Sequence, residues 1–374
     1  MNILFVLENY YPHVGGVEVL FKNLAEGLAK KGHNVEIVTH KLKETKNFEI
    51  INKVKIHRVN CLHSRYLFTF LSIPKIFKLA KKADIIHTTT FNAAFPSWFV
   101  SKIINKKVII TVHEVWVDKW HELTEMNWFS ALIHNILEKM IYLLRFDKYV
   151  AVSESTRKQL LSIGIEENKT CVAYNGVDYN LWDPKRYDRN NMRKKLEIEN
   201  NFVCLFSGRP GTSKGLEYLV KAVPILGDRI RKFKLIAIIS KDKTYEKRYN
   251  SMINMIKKID KKGIIKVIDP VKYKDLPYYV RAADCIVVPS LSEGFGFAVA
   301  EACAIGTPVV ATNTTSIPEV ISNKFILVKP KDENSIAEGI IRVFNKKSDY
   351  KPLKRFKIED NTRSYLKVYE DTIS

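Results

Sequence analysis

Two carboxylates, Glu293 and Glu301, bracket Gly294-Phe295-Gly296 inside the stretch Pro289 to Pro308. Paired carboxylates can do acid and base work, and they can also hold hydroxyl groups. Their surroundings bear on the choice. Cys285 to Val288 is a short apolar run of the kind that makes a buried strand. Phe297 to Ile305 is rich in alanine and reads as a helix stopped by Gly306. A strand therefore hands over to a helix through a glycine loop. The first amides of such a helix have no partners within it and lie at the positive end of its dipole, so the loop is suited to phosphate or sugar oxygens.

A second group of candidates lies upstream. Ser207-Gly208-Arg209 closes the apolar run Phe202 to Ser207, and Lys214-Gly215 opens the next helical segment. Gly208 ends the strand, and Arg209 and Lys214 put two cations beside one phosphate-sized site. The Walker spacing G-x4-G-K-[ST] is absent. Near the N-terminus, strand Ile3 to Leu7 leads through a loop with Pro12, Gly15 and Gly16 into a helix over Val17 to Lys31, ended by Gly32. Glycines here let the backbone approach a ligand closely, because no Cβ intervenes. His113 follows strand Val108 to Val112. A lone histidine at a strand end is more often structural than catalytic.

The elements that would position these residues alternate regularly. Further strands are expected at Val35 to Thr39, Val54 to Val59, Ile85 to Thr89, Tyr149 to Ser153 and Thr170 to Tyr174, with helices between most of them. After a polar stretch, Tyr179 to Asn201, that reads as a linker, the pattern restarts. Helices are expected at Lys214 to Leu226, Thr244 to Lys261, Leu276 to Ala283 and Glu333 to Asn345. Strands are expected at Lys234 to Ile239, Ile265 to Ile268, Pro308 to Thr312 and Phe325 to Val328. The expected fold class is α/β, two Rossmann-like domains with parallel sheets, residues 1–180 and 181–355, followed by a helical tail over 356–374.

Length and composition agree with this division. At 374 residues and 46% hydrophobic content the chain fits two ordinary domains rather than a disordered segment. The net charge of +21 points to an anionic partner: nucleic acid, an anionic membrane or phosphorylated small molecules. Five scattered cysteines without a C-x2-C pair suit free thiols in a reducing compartment. No signal-like segment and no apolar run of spanning length occurs, so a cytoplasmic protein is expected. All nine histidines precede residue 135, yet no H-E-x-x-H or D-x-D spacing appears, and no metal or other cofactor is expected.

Taken together, E-x7-E, Gly-Arg-x4-Lys-Gly, Gly15-Gly16 and His113-Glu114 resemble the signature of the retaining, GT-B-fold glycosyltransferases of family 4 type, also called group 1. The resemblance covers most of the chain. It implies two domains facing across a cleft, with the C-terminal helix crossing back to the first. It also implies that Glu293 holds hydroxyls of a transferred sugar and Glu301 those of a ribose. The amides of Gly294, Phe295, Gly296 and Phe297 would hold sugar and phosphate. Arg209 and Lys214 would clamp the diphosphate, Gly15 and Gly16 would approach it from the first domain, and His113 would line the sugar and acceptor pocket. Catalytic roles thus fall to Glu293, Arg209, Lys214 and His113. Attack on the sugar's front face, with the leaving phosphate taking the acceptor's proton, would make Glu293 a ligand rather than a nucleophile.

Two departures stand out. Asn313-Thr314-Thr315-Ser316-Ile317 replaces a usual Gly-Gly before Pro318-Glu319, and Asp269-Pro270 stands where a glycine commonly supports the base, which leaves UDP and GDP both open. Asn175-Gly176-Val177-Asp178 resembles the family's segment leading into the linker and reads as a hinge.

The positive charge has a candidate outlet in the segment 66–82. Ile73, Ile76, Phe77 and Ala80 repeat at helical spacing, with Lys75, Lys78 and Lys82 opposite and Tyr66, Phe68 and Phe70 upstream. Contact with anionic lipid and an ordinary sheet-covering helix both fit this pattern. The i+4 stripe Trp128, Leu132, Ile136, Met140, Leu144 reads as core, while Trp116 and Trp120 could line an acceptor or lipid groove. The first reading is a hexosyltransferase using a nucleotide-diphosphate sugar and a glycan or lipid-linked acceptor at the inner membrane face. A sugar-nucleotide epimerase or hydrolase is the alternative. A basic nucleic-acid-binding protein is a third reading, which no zinc, RNP-like or Gly-x-x-Gly motif supports, so no nucleic acid partner is expected.

Overall fold

The computed structural model describes residues 1–13, 15–62, 64–241 and 245–374. Its elements run, in order, β1 (Asn2–Leu7), α1 (Gly16–Lys30), β2 (Asn34–His40), β3 (Phe48–Ile51), β4 (Val54–Val59), α2 (Arg65–Leu71), α3 (Ile73–Ala80), β5 (Ile85–Thr89), α4 (Ala94–Ile103) and β6 (Lys107–Val112). Then follow α5 (Trp120–Leu123), α6 (Trp128–Leu143), β7 (Lys148–Ala151), α7 (Glu154–Ser162), β8 (Thr170–Val172), α8 (Arg189–Leu196), β9 (Phe202–Gly208) and α9 (Leu216–Arg229). The chain continues through β10 (Phe233–Ile239), α10 (Glu246–Ile259), β11 (Ile265–Ile268), α11 (Leu276–Ala282), β12 (Cys285–Val288) and α12 (Phe297–Ile305). It ends with β13 (Val309–Thr312), α13 (Ile317–Val320), β14 (Asn323–Val328), α14 (Glu333–Phe344), β15 (Asp349–Lys351) and α15 (Ile358–Ile373). Thr244, the expected start of α10, lies outside the described residues.

The chain folds as two compact units. The first comprises Met1–Trp120, Met126–Gly176 and Phe356–Ser374, and the second His121–Glu125 and Val177–Arg355. The first sheet has the order β3-β4-β2-β1-β5-β6-β7-β8 and the second β11-β10-β9-β12-β13-β14-β15. In each, the order reverses beside the first strand of the unit, between β1 and β5 and between β9 and β12. Such a switch point opens a crevice at the carboxyl ends of the strands, where α/β folds bind ligands. β1 and β12 are buried along almost their whole length, as apolar runs flanked by helices on both faces must be.

Neither sheet is wholly parallel. β3 runs antiparallel to β4 and β15 antiparallel to β14, each at an edge. The expectation of parallel sheets is corrected to that extent. Such strands are short and largely open to solvent, so no continuous apolar run announces them.

The polar stretch taken for a linker is folded. Arg189 Nη2 donates to Asp284 Oδ1 at 2.5 Å and Arg193 Nη1 to Asp284 Oδ2 at 3.1 Å, while Asp284 Oδ2 also accepts the Val203 amide at 2.8 Å. Its charged residues thus tie α8 to the strands β9 and β12, and Trp182 in the same stretch is buried. Arg193 is buried and Arg189 and Asp284 partly so, and such a network is costly to break because one partner's loss leaves the other unpaired.

The last helix completes the first unit. His87 on β5 and Thr111 on β6 are bonded to each other at 2.8 Å, and they meet Tyr369 at 2.8 Å and Tyr365 at 2.9 Å on α15, all four buried. Gly176 leaves room for the start of α15, since a Cβ there would lie 2.6 Å from the Ile358 Cα. All five cysteines are free thiols.

Candidate functional site

In the second unit the switch-point strands β9 and β12 end side by side, and the residues following each of them meet. Lys214 Nζ lies 2.6 Å from Glu293 Oε1, which also accepts the Ser290 hydroxyl at 2.8 Å. Both side chains are largely withdrawn from water, at 24% and 13% exposure, so the attraction is weakly screened. The approach of the two loops is set by Gly215, at φ +63°, where a Cβ would stand 2.0 Å from the Pro289 carbonyl oxygen. The Leu291 amide then donates to the Ser213 carbonyl at 2.7 Å. Only glycine meets both conditions at low cost.

Beyond Glu293 the chain enters α12 through Gly296, at φ +89°, and leaves it at Gly306, at φ +81°. Both glycines stand where the left-handed backbone requires them. The helix therefore runs over Phe297–Ile305 as the sequence predicts.

Glu301 sits one turn in. It is 5% exposed, which excludes a solvated helix residue, and its Oε1 accepts the Tyr273 hydroxyl at 2.5 Å. Trp182 Nε1 donates to that same hydroxyl at 3.3 Å. Burial pushes the Glu301 carboxyl up to about 8, partly opposed by the Tyr273 hydrogen bond. Arg209 is placed differently from Lys214. It is exposed, its Nη1 donates to the Tyr245 hydroxyl at 3.2 Å, and its guanidinium covers the Tyr245 ring at 5.5 Å.

The segment lacking the usual glycine pair has a definite use. The Glu293 amide donates to Thr315 Oγ1 at 2.9 Å, and Ser316 Oγ donates to the Glu293 carbonyl at 2.9 Å. Thr314 Oγ1 donates to the Leu291 carbonyl at 3.2 Å, and Thr312 to that of Ser290. Four hydroxyls thus hold the backbone of the Glu293 loop. The sequence shows the hydroxyl run plainly, but its partners lie about twenty residues upstream, and no local pattern names them. Tyr273 and Tyr245 were likewise unannounced. Asp269, at the second departure, pairs with Lys241 at 2.5 Å.

In the first unit, His113 lies just past β6, its ring 6.1 Å from that of Phe21 on α1, edge to face. Burial lowers its imidazole to about 4, although the carboxylate of Glu18 works in the other direction. It is therefore neutral near pH 7, and its Nε2 has no hydrogen-bond partner among the described residues. Gly15 caps α1 in an extended conformation, and Glu18 Oε2 fills the space where a Gly15 Cβ would project, 2.6 Å away. Glu18 Oε1 also lies 3.2 Å from His13 Nδ1. Glu18 was not singled out from the sequence, although its place three positions after Gly15 is visible there. Trp120 is buried and donates to Glu138 Oε2 at 2.6 Å, so it braces α6 rather than lining an open groove.

Two readings of the aromatic segments need correction. Phe68 is buried while Tyr66 and Phe70 are exposed, because α2 turns the alternate aromatics to different sides. On α3 it is the apolar face, Ile76 and Ala80, that is buried against the sheet, with Lys78, and Lys82 just past the helix, outward. On α6 the stripe taken for core is largely exposed: Trp128 at 68%, Ile136 at 49% and Met140 at 55%. Among the described residues no three His, Cys, Asp or Glu side chains converge as metal ligands would.

Comparison with known proteins adds to this geometry. Residues 188–363 match the family described as Glycosyl transferases group 1, and residues 14–181 match Glycosyltransferase Family 4. The chain is 30% identical over 367 residues to a protein described as an uncharacterised glycosyltransferase of Methanocaldococcus jannaschii, covering 92% of this chain and 89% of that one. It is 24% identical over 352 residues to the alpha-monoglucosyldiacylglycerol synthase of Streptococcus pneumoniae, covering 91% and 78%. Its fold matches the crystal structure of Anabaena Alr3699/HepE in complex with UDP and glucose, at a TM-score of 0.78 and 17% identity, over 99% of this chain and 100% of that one.

Proposed function

We propose, for a chain that belongs to the group 1 glycosyltransferases of family 4 type, that it moves a hexose with retention from a UDP- or GDP-sugar to a glycan or lipid-linked acceptor. The observation that carries this reading is the Lys214–Glu293 pair at the switch point of the second sheet. A cation and a sugar-binding carboxylate held 2.6 Å apart suit the junction between a sugar and its diphosphate. The lysine offsets charge developing on the leaving diphosphate, and a preorganised group of this kind is worth about 3 kcal/mol in the transition state.

The remaining roles follow from chemistry. Glu293 orients the hexose hydroxyls, and the amides of Gly294, Phe295, Gly296 and Phe297 meet sugar and phosphate at the start of α12. Gly208 ends β9 without a side chain beside the phosphates. Glu301 takes the ribose hydroxyls, and Arg209 joins the diphosphate from its place over Tyr245. For the first unit we assign Gly15 and Gly16 to the donor and a neutral His113 to the sugar and acceptor. The acceptor's proton passes to the leaving phosphate oxygen, so Glu293 forms no bond to the sugar. Arg209 and Lys214 supply the positive charge, and transfer needs no metal.

The names of similar proteins favour such substrates. One neighbour was crystallised with UDP and glucose, and one relative is named for a glucosyldiacylglycerol product. On this reading the protein works in cell-surface glycan or glycolipid synthesis, in the cytoplasm at the inner membrane face. Tyr66, Phe70, Lys75, Lys78 and Lys82 contact anionic lipid. No helix among the described residues is long and apolar enough to cross a membrane.

Nucleotide sugars screened by thermal shift, since a ligand of the folded state raises the melting point, should identify the donor. Turnover of that donor should then require an added glycan or lipid acceptor and persist in EDTA. Fast turnover without acceptor would favour the epimerase or hydrolase reading, and strict metal dependence would overturn the role given to the two cations.

A further inference from the structure

Helix α6 exposes an apolar face that no described residue of the first unit covers. Its buried side is Ala131, Glu138, Ile141 and Tyr142, and Glu138 is consumed there by Trp120 Nε1 at 2.6 Å and the Trp116 amide at 3.0 Å. The opposite side carries Trp128, Phe129, Ile136, Met140 and Leu143, with Leu143 at 78% exposure. A soluble helix ordinarily turns charged groups outward. Between Asn127 and Leu144 the one exposed charge is Lys139, already paired with Asp118 at 2.8 Å.

The face extends beyond one helix. The turn at Phe91–Ala93 packs against both α6 and α2, and Thr69 on α2 donates to the Asn92 carbonyl at 3.2 Å. The helices α2 and α4, which both pack on that turn, expose Tyr66 and Phe70, and Phe95 and Phe99, respectively, the last two rings stacked at 5.8 Å. Several large apolar side chains exposed on neighbouring elements mark a contact with a protein or a membrane.

Charge decides between them. From Leu62 to Lys107, the segment that carries α2, α3 and α4, there are eight Lys or Arg and one acid, Asp84, whose Oδ2 already accepts the Asn2 amide at 2.7 Å. A second copy docking face to face would set these cations against their own kind, in a chain of net charge +21. Aromatic and aliphatic side chains set among lysines suit the boundary between acyl chains and anionic headgroups.

We propose that the outward face of α6, together with the exposed Tyr66, Phe70, Phe95 and Phe99, inserts shallowly into an anionic bilayer, with the basic residues of the α2–α4 segment on the headgroups. This deepens the reading of a lipid-linked acceptor and rests on it for its purpose, though vesicle binding can be measured without any transfer.

The test is flotation of the full chain with phosphatidylglycerol–phosphatidylcholine vesicles or phosphatidylcholine vesicles, donor absent. The wild type should float with the anionic vesicles. The variant Phe129→Ser/Met140→Ser/Leu143→Ser should lose on the order of tenfold or more in binding, with an unchanged melting temperature because these side chains are exposed. Lys75→Ser/Lys78→Ser/Lys82→Ser should lose its preference for the anionic lipid. A wild type left unfloated, or a triple apolar variant that floats as well as the wild type, would overturn the proposal. So would a dimer in light scattering that this variant converts to a monomer without loss of lipid binding. Nucleotide-sugar titration of the same samples separates the two readings. A chain that floats but binds no nucleotide sugar would keep this inference and remove the donor assignment.

Discussion

Lys214 and Glu293, 79 residues apart in sequence, meet at 2.6 Å where β9 and β12 end. Each arrives on a loop whose backbone is fixed independently, by Gly215 on one side and by the hydroxyls of Thr315 and Ser316 on the other. Glu293→Ala should therefore remove transfer by about 10²–10³-fold and leave the melting temperature within a few degrees of the wild type. Near-normal turnover would remove Glu293 from the donor site.

The hydroxyl clamp makes a separate claim. Thr315→Val and Ser316→Ala each take one hydrogen bond from the Glu293 backbone, at 2.9 Å in both cases. The loss should appear mainly in kcat, about tenfold for each, since a displaced group costs reaction more than binding. Steady-state kinetics would show it, with Thr315→Ser restoring most of the rate.

Glu301 should make donor binding pH dependent. Its pKa is raised to about 8 by burial, so near neutrality it largely keeps its proton and becomes a full acceptor for ribose hydroxyls as pH rises through that value. Donor affinity should climb between about pH 7 and 9 and be flat in Glu301→Gln. Tyr273→Phe removes the hydrogen bond that lowers this pKa, so its midpoint should move higher. The same shift has a sign for stability. The folded state holds a proton that the unfolded state releases at the ordinary carboxylate value, so stability falls as pH rises toward about 8.

Gly215→Ala should be among the more damaging single changes. A Cβ would meet the Pro289 carbonyl oxygen at 2.0 Å, in a backbone conformation that alanine also resists. Destabilisation on the order of 3 kcal/mol is expected, read by chemical denaturation, together with loss of the Lys214 to Glu293 approach.

The features legible in the sequence are those written in a short window. The loop and helix from Cys285 to Gly306 could be placed because strand, glycines and alanine-rich helix are adjacent, and α12 falls on the expected residues. The edge strands β3 and β15 could not, since a short exposed strand has no apolar run to show. The Trp128 to Met140 stripe shows a second limit. Periodicity reveals that a helix has an apolar face but not what lies against it, and here the face is open. Tyr273 beneath Glu301 and the hydroxyls behind Glu293 depend on contacts across 22 to 28 residues. Pairings of that kind arise from topology rather than from local pattern.

The most direct measurement is calorimetric titration of UDP- and GDP-sugars into the wild type and Lys214→Ala. One nucleotide sugar should bind the wild type and bind the variant at least about tenfold more weakly, as loss of one charge-assisted contact to phosphate implies. Equal affinity in the two proteins, or no binding of any nucleotide sugar to the wild type, would contradict the account.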